Sequence, residues 1–361
     1  MDARFDLAVI GAGMAGASLA AALAPTGARV LLCEAEAAPG YHATGRSAAF
    51  WTESYGGPAV QPLTTASGPF LHHGGYLAPR GALTIARAGQ EAELAAFADR
   101  YETLGVRVER LDHAAMRARV PGLRPHWTTA ALEPDCSDID VARLHQDYLA
   151  AARRAGAQLW ANARLVAARH APTGWTLTLA DGRSAHASVL VNAAGAWADQ
   201  VAMLAGVRPV GIQPYRRTVA QLRTDPAVPA SLPLVLDLSE RFYFKPQAGR
   251  LWLSPHDETP SAPCDAAAEE IDIAAAIDRL SDVTDWTVER LEHRWAGLRS
   301  FAPDRLPVYG AAPDNPAFFW FAGQGGFGIQ TAPAAAALGA ALLGAGTSPV
   351  DPARYSPKRF A

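Results

Sequence analysis

The first spacing in the chain that could carry chemistry is Gly11-x-Gly13-x-x-Gly16, which follows the apolar run 6–10 and opens an Ala/Leu-rich stretch. In this pattern the first glycine permits a tight turn, the second lets a pyrophosphate approach the backbone, and the third allows close helix–strand packing. Glu34 closes the next apolar run, where a carboxylate can accept a hydrogen bond from a ribose hydroxyl. We therefore predict a dinucleotide site at a helix N-terminus, against the alternative of a glycine-rich turn in a non-binding α/β protein.

A second candidate is the Gly/Ser/Thr-rich loop 40–57, which follows this acid closely. Between Gly40 and Ala49 its small and hydroxyl side chains could run beside a flavin and its pyrophosphate. An ordinary surface loop is the alternative interpretation of this segment. By itself the loop does not decide between FAD and NAD.

The remaining polar clusters do not predict a metal site. The adjacent pair His72-His73 points its side chains apart on a strand or a helix, which is typical of a surface turn. The His-Asp-Glu triplet at 256–258 has no second cluster near it in the sequence. The acidic run 135–140 precedes a helix and is typical of caps and solvated charges. We expect no metal.

Strands and helices alternate in the segments that must position these motifs. Residues 6–10 and 29–34 are typical of buried parallel strands, and 188–192 and 318–322 repeat that pattern before small-residue turns. Residues 215–255 carry β-type residues and turns that indicate antiparallel strands. Helices are predicted over residues 91–105, 141–156 and 331–343.

These elements predict an α/β fold with an α+β insert. A Rossmann-like, FAD-binding domain would be interrupted by an antiparallel-sheet substrate domain. The predicted FAD-binding domain is discontinuous and comprises residues 1–80, 140–208 and 297–361. The predicted substrate-binding domain comprises residues 81–139 and 209–296.

Length, charge and cysteine usage limit the class of protein. The chain has 361 residues and a formal net charge of -3 without a basic footprint, so we expect no nucleic-acid partner. Its three cysteines form no disulfide framework and fit a reducing compartment. We expect no signal peptide, and no apolar stretch reaches the ~20 residues of a membrane span. The prediction is a cytoplasmic protein, with peripheral contact to the inner membrane left open, as a monomer or small homo-oligomer.

Three segments, at residues 40–49, 192–197 and 323–330, together resemble those of a known family. The chain is similar to the D-amino acid oxidase-like superfamily of FAD enzymes, which includes glycine and sarcosine oxidases. Within it, the sequence looks most like the bacterial D-arginine dehydrogenase-type D-amino acid dehydrogenases. This resemblance runs almost from end to end and includes residues 214–217 and 295–300.

The resemblance implies a bound FAD and a set of contacts to it. The helix after Gln330 would direct its positive N-terminal dipole at the flavin. The segment 306–310 has no cysteine where some relatives tether flavin, so we expect FAD to be held non-covalently. The residues implied to bind FAD are Gly11, Ala12, Gly13, Met14, Ala15, Gly16, Glu34, Thr44, Arg46, Ser47, Ala48, Ala49, Val166, Ala194, Gly195, Trp197, Gly297, Arg299, Gly325, Gly326, Phe327, Gly328, Ile329 and Gln330.

The same resemblance implies an anion clamp, in which Arg216 and Arg299 bind the substrate carboxylate. Arginine suits this role because its planar fork makes two parallel bonds to a carboxylate. A structural ion pair is the alternative for either side chain, and Arg217 competes with its neighbour for the assignment. The other residues implied to contact substrate are Tyr55, Tyr243, Gly326 and Gln330, and those implied to be catalytic are Tyr55, Tyr243 and Arg299.

Two departures from the D-arginine enzymes change the expected substrate. A glutamate that anchors the substrate guanidinium in those enzymes corresponds to Ala82, and a histidine facing the substrate corresponds to Phe50. Leu234 and Leu236 would line the same pocket. Burying an unpaired guanidinium is costly. We therefore expect hydrophobic or broadly varied D-amino acids rather than D-arginine.

The implied reaction transfers a hydride from Cα of a small-molecule D-amino acid to flavin N5, and the imino acid hydrolyses to a 2-oxo acid and ammonia. The electron acceptor is a quinone, another carrier or O2. Relatives that use oxygen well often carry a lysine near the flavin, and Lys245 and Lys358 offer no clear equivalent, which favours a dehydrogenase. The alternatives are a 2-hydroxy acid dehydrogenase, a sarcosine- or proline-type secondary-amine oxidase, and a flavin module without turnover, which the arginine pair disfavours.

Overall fold

A computed structural model of the chain describes residues 3–361, so Met1 and Asp2 of the predicted first domain segment lie outside the described residues. An eight-stranded sheet contains β1 (Ala3–Ile10), β2 (Val30–Cys33), β9 (Gln158–Trp160), β10 (Leu165–Ala171), β11 (Gly174–Leu179), β12 (Ser184–Asn192), β19 (Val308–Ala311) and β20 (Phe318–Ala322). Its central strands are parallel, because β1 pairs in parallel with β2 and β12, and β12 pairs in parallel with β20.

Continuous apolar runs build this sheet because helices cover it. All four residues of β2 and all five of β20 are buried, as expected for parallel strands covered on both faces. The alanine-rich helices α1 (Met14–Leu23) and α8 (Ala332–Leu342) pack on each other, and α5 (Val141–Arg154) packs on α1. The N-terminus of α1 and the carboxyl ends of β1 and β2 lie at one edge of this sheet and line a cavity.

A ten-stranded, mostly antiparallel sheet forms the second half of the molecule, covered by helices α3 (Glu91–Thr103), α4 (His113–Arg119) and α7 (Glu270–Val283). Its strands are β5 (Ala82–Arg87), β6 (Glu109–Asp112), β7 (Trp127–Glu133), β13 (Gln213–Asp225), β14 (Leu234–Asp237), β15 (Tyr243–Gln247), β16 (Arg250–Ser254), β17 (Thr259–Pro260), β18 (Thr287–Phe301) and β21 (Gln324–Gly325).

Smaller elements join the two halves. A three-stranded sheet contains β3 (Phe50–Trp51), β4 (Leu77–Pro79) and β8 (Ser137–Ile139), while α2 (Gln61–His73) packs on α8 and α6 (Ala198–Leu204) follows β12. Four short 3-10 helices lie at residues 24–26, 195–197, 353–355 and 357–360.

The two large sheets meet where the chain leaves β20. It turns at Gly323, whose φ of 73° is in the left-handed region, and immediately pairs with β18 as β21. The boundary predicted at 296/297 falls inside β18, which is continuous from Thr287 to Phe301. The division into two domains stays a prediction, and this boundary would cut one strand.

Candidate functional site

A cavity of about 450 Å³ lies between the two sheets and runs from the first βα turn to β13 and β18. It is lined by the turn after β1, the loop 40–48, the start of β10, the turn after β12 and the glycine-rich loop 324–329. These are the segments that the sequence marked for a dinucleotide.

The first turn has the geometry that its glycines predict. Gly11 has a φ of 101°, and a Cβ on it would lie 2.5 Å from the Ala193 carbonyl oxygen. A Cβ on Gly16 would lie 1.9 Å from the Gly11 carbonyl oxygen, so this residue supports helix packing and does not line the cavity. Gly13 does line it and begins α1 without a side-chain cap.

Polar groups beside the turn are preorganised. The buried Glu34 carboxylate accepts hydrogen bonds from the Ala12 N–H at 2.9 Å and the Glu36 N–H at 3.0 Å, and it lines the cavity. Thr44 Oγ1 accepts from the Met14 N–H at 2.9 Å and draws the loop 40–48 onto the helix N-terminus. A narrow backbone cradle, an exposed helix N-terminus and a fixed carboxylate fit the pyrophosphate and ribose of a dinucleotide.

Replacing Gly13 by alanine tests this cradle. The new Cβ would meet only Thr44 Oγ1, at 3.2 Å, so the fold should persist while a methyl group enters the space of the pyrophosphate. We expect the Kd of the apo-protein for FAD to rise by roughly tenfold or more, because the close approach of phosphate to backbone is lost. Titration of FAD into apo-protein measures this. Unchanged FAD affinity would contradict the assignment, and an unchanged unfolding temperature of the apo-protein serves as the control.

The loop 40–48 is fastened to the substrate side of the cavity. The Arg46 guanidinium donates to the Ala266 carbonyl at 2.9 Å and pairs with Asp265, while the Trp295 indole N–H donates to the Arg46 carbonyl at 2.9 Å. Ser47 and Ala48 line the cavity, whereas Ala49 packs its side chain into a neighbouring core with Trp51. Ala49 therefore supports the loop instead of lining the site.

The C-terminal loop divides in the same way. Gly325, Gly326, Gly328 and Ile329 line the cavity, but Phe327 packs on Tyr55 at 5.6 Å between ring centroids. Gln330 is buried beneath the loop that carries Tyr55. Its Nε2 donates to the Tyr55 carbonyl at 3.2 Å and its Oε1 accepts from the Thr52 N–H at 3.4 Å. Phe327 and Gln330 are thus placed to position Tyr55. Both were predicted to contact FAD, but neither lines the cavity.

The remaining cofactor predictions give a mixed outcome. Ala194, Gly195, Trp197, Gly297 and Ala15 line the cavity, together with Met14, Thr44 and Arg46. Val166 does not: its side chain is exposed, and the three residues before it, 163–165, line the cavity instead. Side chains alternate along β10, so Leu165 turns inward and its neighbour turns outward.

Two arginines converge on the opposite end of the cavity. Tyr215 lies opposite Arg299 and Arg217 lies opposite Gly297 in the pairing of β13 with β18. Because side chains alternate between the faces of a sheet, Arg217 and Arg299 share the face that lines the cavity. The Arg299 guanidinium donates to the Tyr55 hydroxyl at 2.5 Å, and a Cβ on Gly326 would lie 2.6 Å from its Cζ.

Arg216 lies on the other face and does not join this pair. Its guanidinium pairs with Glu269 and, at 2.9 Å, with Asp272 at the start of α7. The predicted pairing of Arg216 with Arg299 is therefore corrected, since one step along a strand reverses the side chain and puts Arg217 into the cavity. Arg216 makes the structural ion pair that was its alternative role.

Arg217 is a buried cation with one unmatched donor among residues 3–361. It is only 5% exposed, its Nε donates to the Asp257 carbonyl at 2.8 Å and lies 3.8 Å from the Asp257 carboxylate, and its Nη2 reaches Glu258 at 3.3 Å. Its buried Nη1 has no hydrogen-bond partner among the described residues. Burial, and then the positive charge of Arg299, lower the pKa of Arg217. An anion between the two guanidinium groups would relieve both the repulsion and the unmade bond.

An apolar cluster adjoins this pair. Its buried members are Ala48, Phe50, Ala82, Cys136, Leu234 and Tyr243, and Tyr55, Leu236 and Trp252 pack against them. The Phe50 ring lies edge-on to Tyr55 at 5.3 Å and to Tyr243 at 6.0 Å between centroids. The cluster thus contains every residue predicted for the apolar pocket, although none of those four lines the cavity. Ala82 lies on β5 and Leu234 and Leu236 lie on β14, which pairs with β5 in parallel, whereas Phe50 lies on β3.

The family of this chain follows from a comparison of its sequence with family profiles. The family profile of FAD dependent oxidoreductases named DAO matches residues 6–342. The chain belongs to the DAO family. FAD is therefore the cofactor that the cavity accommodates, and the predicted superfamily is confirmed.

Individual DAO-family proteins are similar at low identity. Glycine oxidase from Pseudomonas aeruginosa is 26% identical over 382 residues, with 97% of each chain covered. Hydrogen cyanide synthase subunit HcnC from Pseudomonas protegens is 25% identical over 262 residues, which cover 72% of this chain but only 61% of that subunit. The match therefore spans about three fifths of the length of the HcnC relative.

Solved structures confirm the predicted fold class. Glycine oxidase from Geobacillus kaustophilus superposes with a TM-score of 0.87 at 23% identity, covering 99% of this chain and 100% of that chain. L-proline dehydrogenase from P. horikoshii also gives a TM-score of 0.87, at 20% identity, covering 100% and 98%. At these identities the likeness shows the fold.

Two further features concern what the DAO-family chain does not display. Among residues 3–361, no group of three or more His, Cys, Asp or Glu side chains is placed to hold a metal ion. Across the same described range, no helix combines the length and apolar character that crossing a membrane requires.

Sequence reasoning missed two polar residues next to this site. Glu133 on β7 accepts hydrogen bonds from the Thr52 hydroxyl at 2.6 Å and from the N–H and hydroxyl of Ser54 at 3.2 and 2.6 Å. It thereby holds the loop that carries Tyr55. His256 packs its ring near Tyr55 and Tyr243. Neither follows a motif, because each reaches the site from a strand end distant in sequence.

Proposed function

We propose that this DAO-family protein catalyses FAD-dependent oxidative deamination of apolar amino acids, with a preference for the D configuration. The observation that carries the proposal is the pair of guanidinium groups, Arg217 and Arg299, beside the apolar cluster. An α-carboxylate fits the arginines, and an apolar side chain fits the cluster. A 2-amino acid with such a side chain presents both groups on one carbon.

The carboxylate assignment follows from charge. Two cations on one sheet face, one of them with an Nη1 that has no hydrogen-bond partner within residues 3–361, stabilise an anion more than any neutral ligand. The Tyr55 hydroxyl, already bonded to Arg299, can donate its own proton to a second carboxylate oxygen. The three groups would hold the carboxylate in one orientation and so fix the position of Cα.

The side-chain assignment follows from the cluster and from Glu133. Glu133 pairs in register with Ala82, the position at which an acid would anchor a guanidinium. Burial raises the pKa of Glu133, and its oxygens already accept four hydrogen bonds, including the Glu53 N–H at 2.6 Å. It is therefore not free to bind a cationic side chain, which supports the preference for apolar substrates over D-arginine.

The chain's own residues bind, orient and exclude water. FAD, when bound, supplies the acceptor for the hydride that leaves Cα. Tyr243 is buried, lines the cavity and belongs to the apolar cluster, so it would lie between the substrate carboxylate and the rest of that cluster. The amine must be neutral when the hydride leaves, because its lone pair forms the imine. Hydrolysis of that imine in water releases the 2-oxo acid and ammonia.

Product analysis tests this reaction. Purified holoprotein is incubated with D-leucine or L-leucine and a synthetic electron acceptor, and 4-methyl-2-oxopentanoate and ammonia are quantified. We expect both products in equal amounts from D-leucine and little from L-leucine. Equal rates from both isomers would overturn the D preference, and turnover of sarcosine or proline alone would favour the alternative of a secondary-amine oxidase.

Ala82→Glu should shift the preference towards cationic side chains. The new carboxylate would enter the apolar cluster, where a charge-assisted bond to a guanidinium contributes about 1.5–3 kcal/mol. We expect the ratio of kcat/KM for D-arginine to that for D-leucine to rise roughly tenfold or more. Ala82→Gln, of the same size but neutral, is the matched control. An equal change in both variants would show that Ala82 does not face the substrate side chain.

The electron acceptor is proposed to be a carrier other than oxygen. Lys245 is buried and pairs with Asp138 at 2.7 Å, so its charge is already engaged away from the cavity lining. This supports a dehydrogenase. We expect turnover with a synthetic acceptor to exceed turnover in air alone by tenfold or so. Equal rates under both conditions would contradict it.

A further inference from the structure

His256 stands at the edge of the site without an assigned role. It follows β16, and its ring centroid lies 6.4 Å from that of Tyr55 and 5.8 Å from that of Tyr243. Its φ of 56° is in the left-handed region, which is uncommon for a residue with a Cβ. An ordering contact from the His256 N–H to Ser254 Oγ at 3.2 Å holds this backbone.

The hydrogen bond at one ring nitrogen determines the state of the other. His256 Nδ1 contacts the Glu240 carbonyl oxygen, which can only accept. Nδ1 must therefore carry the proton, and in the neutral ring Nε2 presents a lone pair. Nε2 is buried and has no hydrogen-bond partner among residues 3–361. A buried acceptor left unmatched is destabilising and requires an explanation.

Burial and the neighbouring positive charges keep the His256 ring neutral. Burial lowers the pKa of His256 to about 2, and the positive charges of Arg217, Arg299 and Arg279 act in the same direction. The ring is therefore an acceptor at Nε2 throughout the physiological pH range. The ligand that matches it must offer an N–H or O–H donor close to the two arginines.

We infer that His256 Nε2 accepts a hydrogen bond from the amino group of the substrate whose carboxylate is held by Arg217 and Arg299. The inference rests on the proposed function and adds a second anchor to it. With the carboxylate, the amine and the side chain each held by a different group, one face of Cα is presented for oxidation. The contact makes and breaks no covalent bond.

The test compares a ligand that has the amine with one that lacks it. D-Leucine and 4-methylpentanoate share the carboxylate and the side chain, and only D-leucine has the donor. In His256→Phe we expect the apparent Kd for D-leucine, from the concentration dependence of anaerobic flavin reduction, to rise roughly tenfold. The Kd of 4-methylpentanoate should stay unchanged or fall, because it leaves Nε2 unmatched in the wild type.

Conservative and control variants separate this role from a structural one. His256→Gln, which keeps an acceptor at similar reach, should restore much of the D-leucine affinity. His113→Phe removes another histidine whose Nδ1 contacts a carbonyl, that of Trp127 at 2.7 Å. His113 lies on α4, which packs on β6 and β7, so this variant should change the Kd of neither ligand. If His256→Phe fails to retain FAD, His256→Asn, which suits the left-handed backbone, replaces it in the comparison.

The possible outcomes separate a failure of the amine contact at His256 from a failure of the proposed amino acid oxidation. If His256→Phe weakens the binding of D-leucine and of 4-methylpentanoate equally, or leaves the Kd of D-leucine unchanged, the role of His256 is overturned while D-leucine remains a substrate. If no amine reduces the flavin of the wild-type holoprotein, the proposed function fails, and the amine anchor fails with it.

Discussion

Replacing Arg299 by methionine is expected to lower kcat/KM for D-leucine by roughly 10²- to 10⁴-fold. Removing one partner of a buried ion pair costs about 3–5 kcal/mol, because the remaining charge stays buried without compensation. Methionine keeps much of the volume beside Gly326, which contacts this guanidinium, so the glycine-rich loop should retain its path. Steady-state kinetics with a synthetic acceptor measures the effect.

Arg294→Met is the matched control for that variant. Arg294 lies on the same strand, β18, but is exposed and makes a 3.4 Å ion pair with Glu270. We expect its kcat/KM to stay within about threefold of wild type, as surface pairs contribute little. A loss of less than tenfold in Arg299→Met would contradict the carboxylate role.

The adjacent pair Arg217 and Arg216 should separate under the same substitution. Arg217→Met removes a cation from the cavity and is expected to lower kcat/KM for D-leucine by roughly 10²-fold or more. Arg216→Met breaks contacts to Glu269 and Asp272 on the far face of the sheet and should change kcat/KM by less than about threefold. Steady-state kinetics on both variants, with bound FAD confirmed for each, measures the contrast.

The direction of this contrast is decisive for the register of β13. A larger loss in Arg216→Met than in Arg217→Met would mean that the strand presents the opposite face to the cavity. Similar large losses in both would show that the variants act through the sheet and not through a ligand. The expected order depends only on the alternation of side chains along the strand.

The first βα turn was predictable because its chemistry is local. Gly16 must be a glycine because a Cβ on it would lie 1.9 Å from the Gly11 carbonyl oxygen five residues earlier, and the φ of 101° at Gly11 favours a glycine in the turn itself. The same holds for the buried strands, whose apolar runs are unbroken over four or more residues. The fold class and a dinucleotide site follow from such local patterns, whereas the choice of FAD came from the resemblance to a family.

The arginine assignment was not predictable in the same way. Arg216 and Arg217 are chemically identical, and their roles differ only because β13 pairs with β18 in one register. Flanking residues do not reveal that register, since the residues from 217 to 220 are all buried. Val166 lies outside the cavity lining for a similar reason, because one step along β10 turns its side chain outward.

The polar groups around Tyr55 depend on tertiary contacts between distant segments. Glu133, Gln330 and His256 reach the Tyr55 loop or ring from three different parts of the chain. A glutamate at a strand end and a histidine after a proline have no motif that separates them from surface residues. Only the assembled fold shows that their polar atoms are buried around one tyrosine.

Anaerobic bleaching of the flavin absorbance of purified holoprotein by matched ligands tests the proposed reaction most directly. The panel comprises D- and L-leucine, D-arginine, sarcosine, proline and 2-hydroxy-4-methylpentanoate. We expect fast bleaching by D-leucine, slow bleaching by D-arginine and little bleaching by L-leucine. Bleaching by none of these compounds, with FAD bound, would contradict the assignment of Arg217, Arg299 and the apolar cluster to an amino acid substrate.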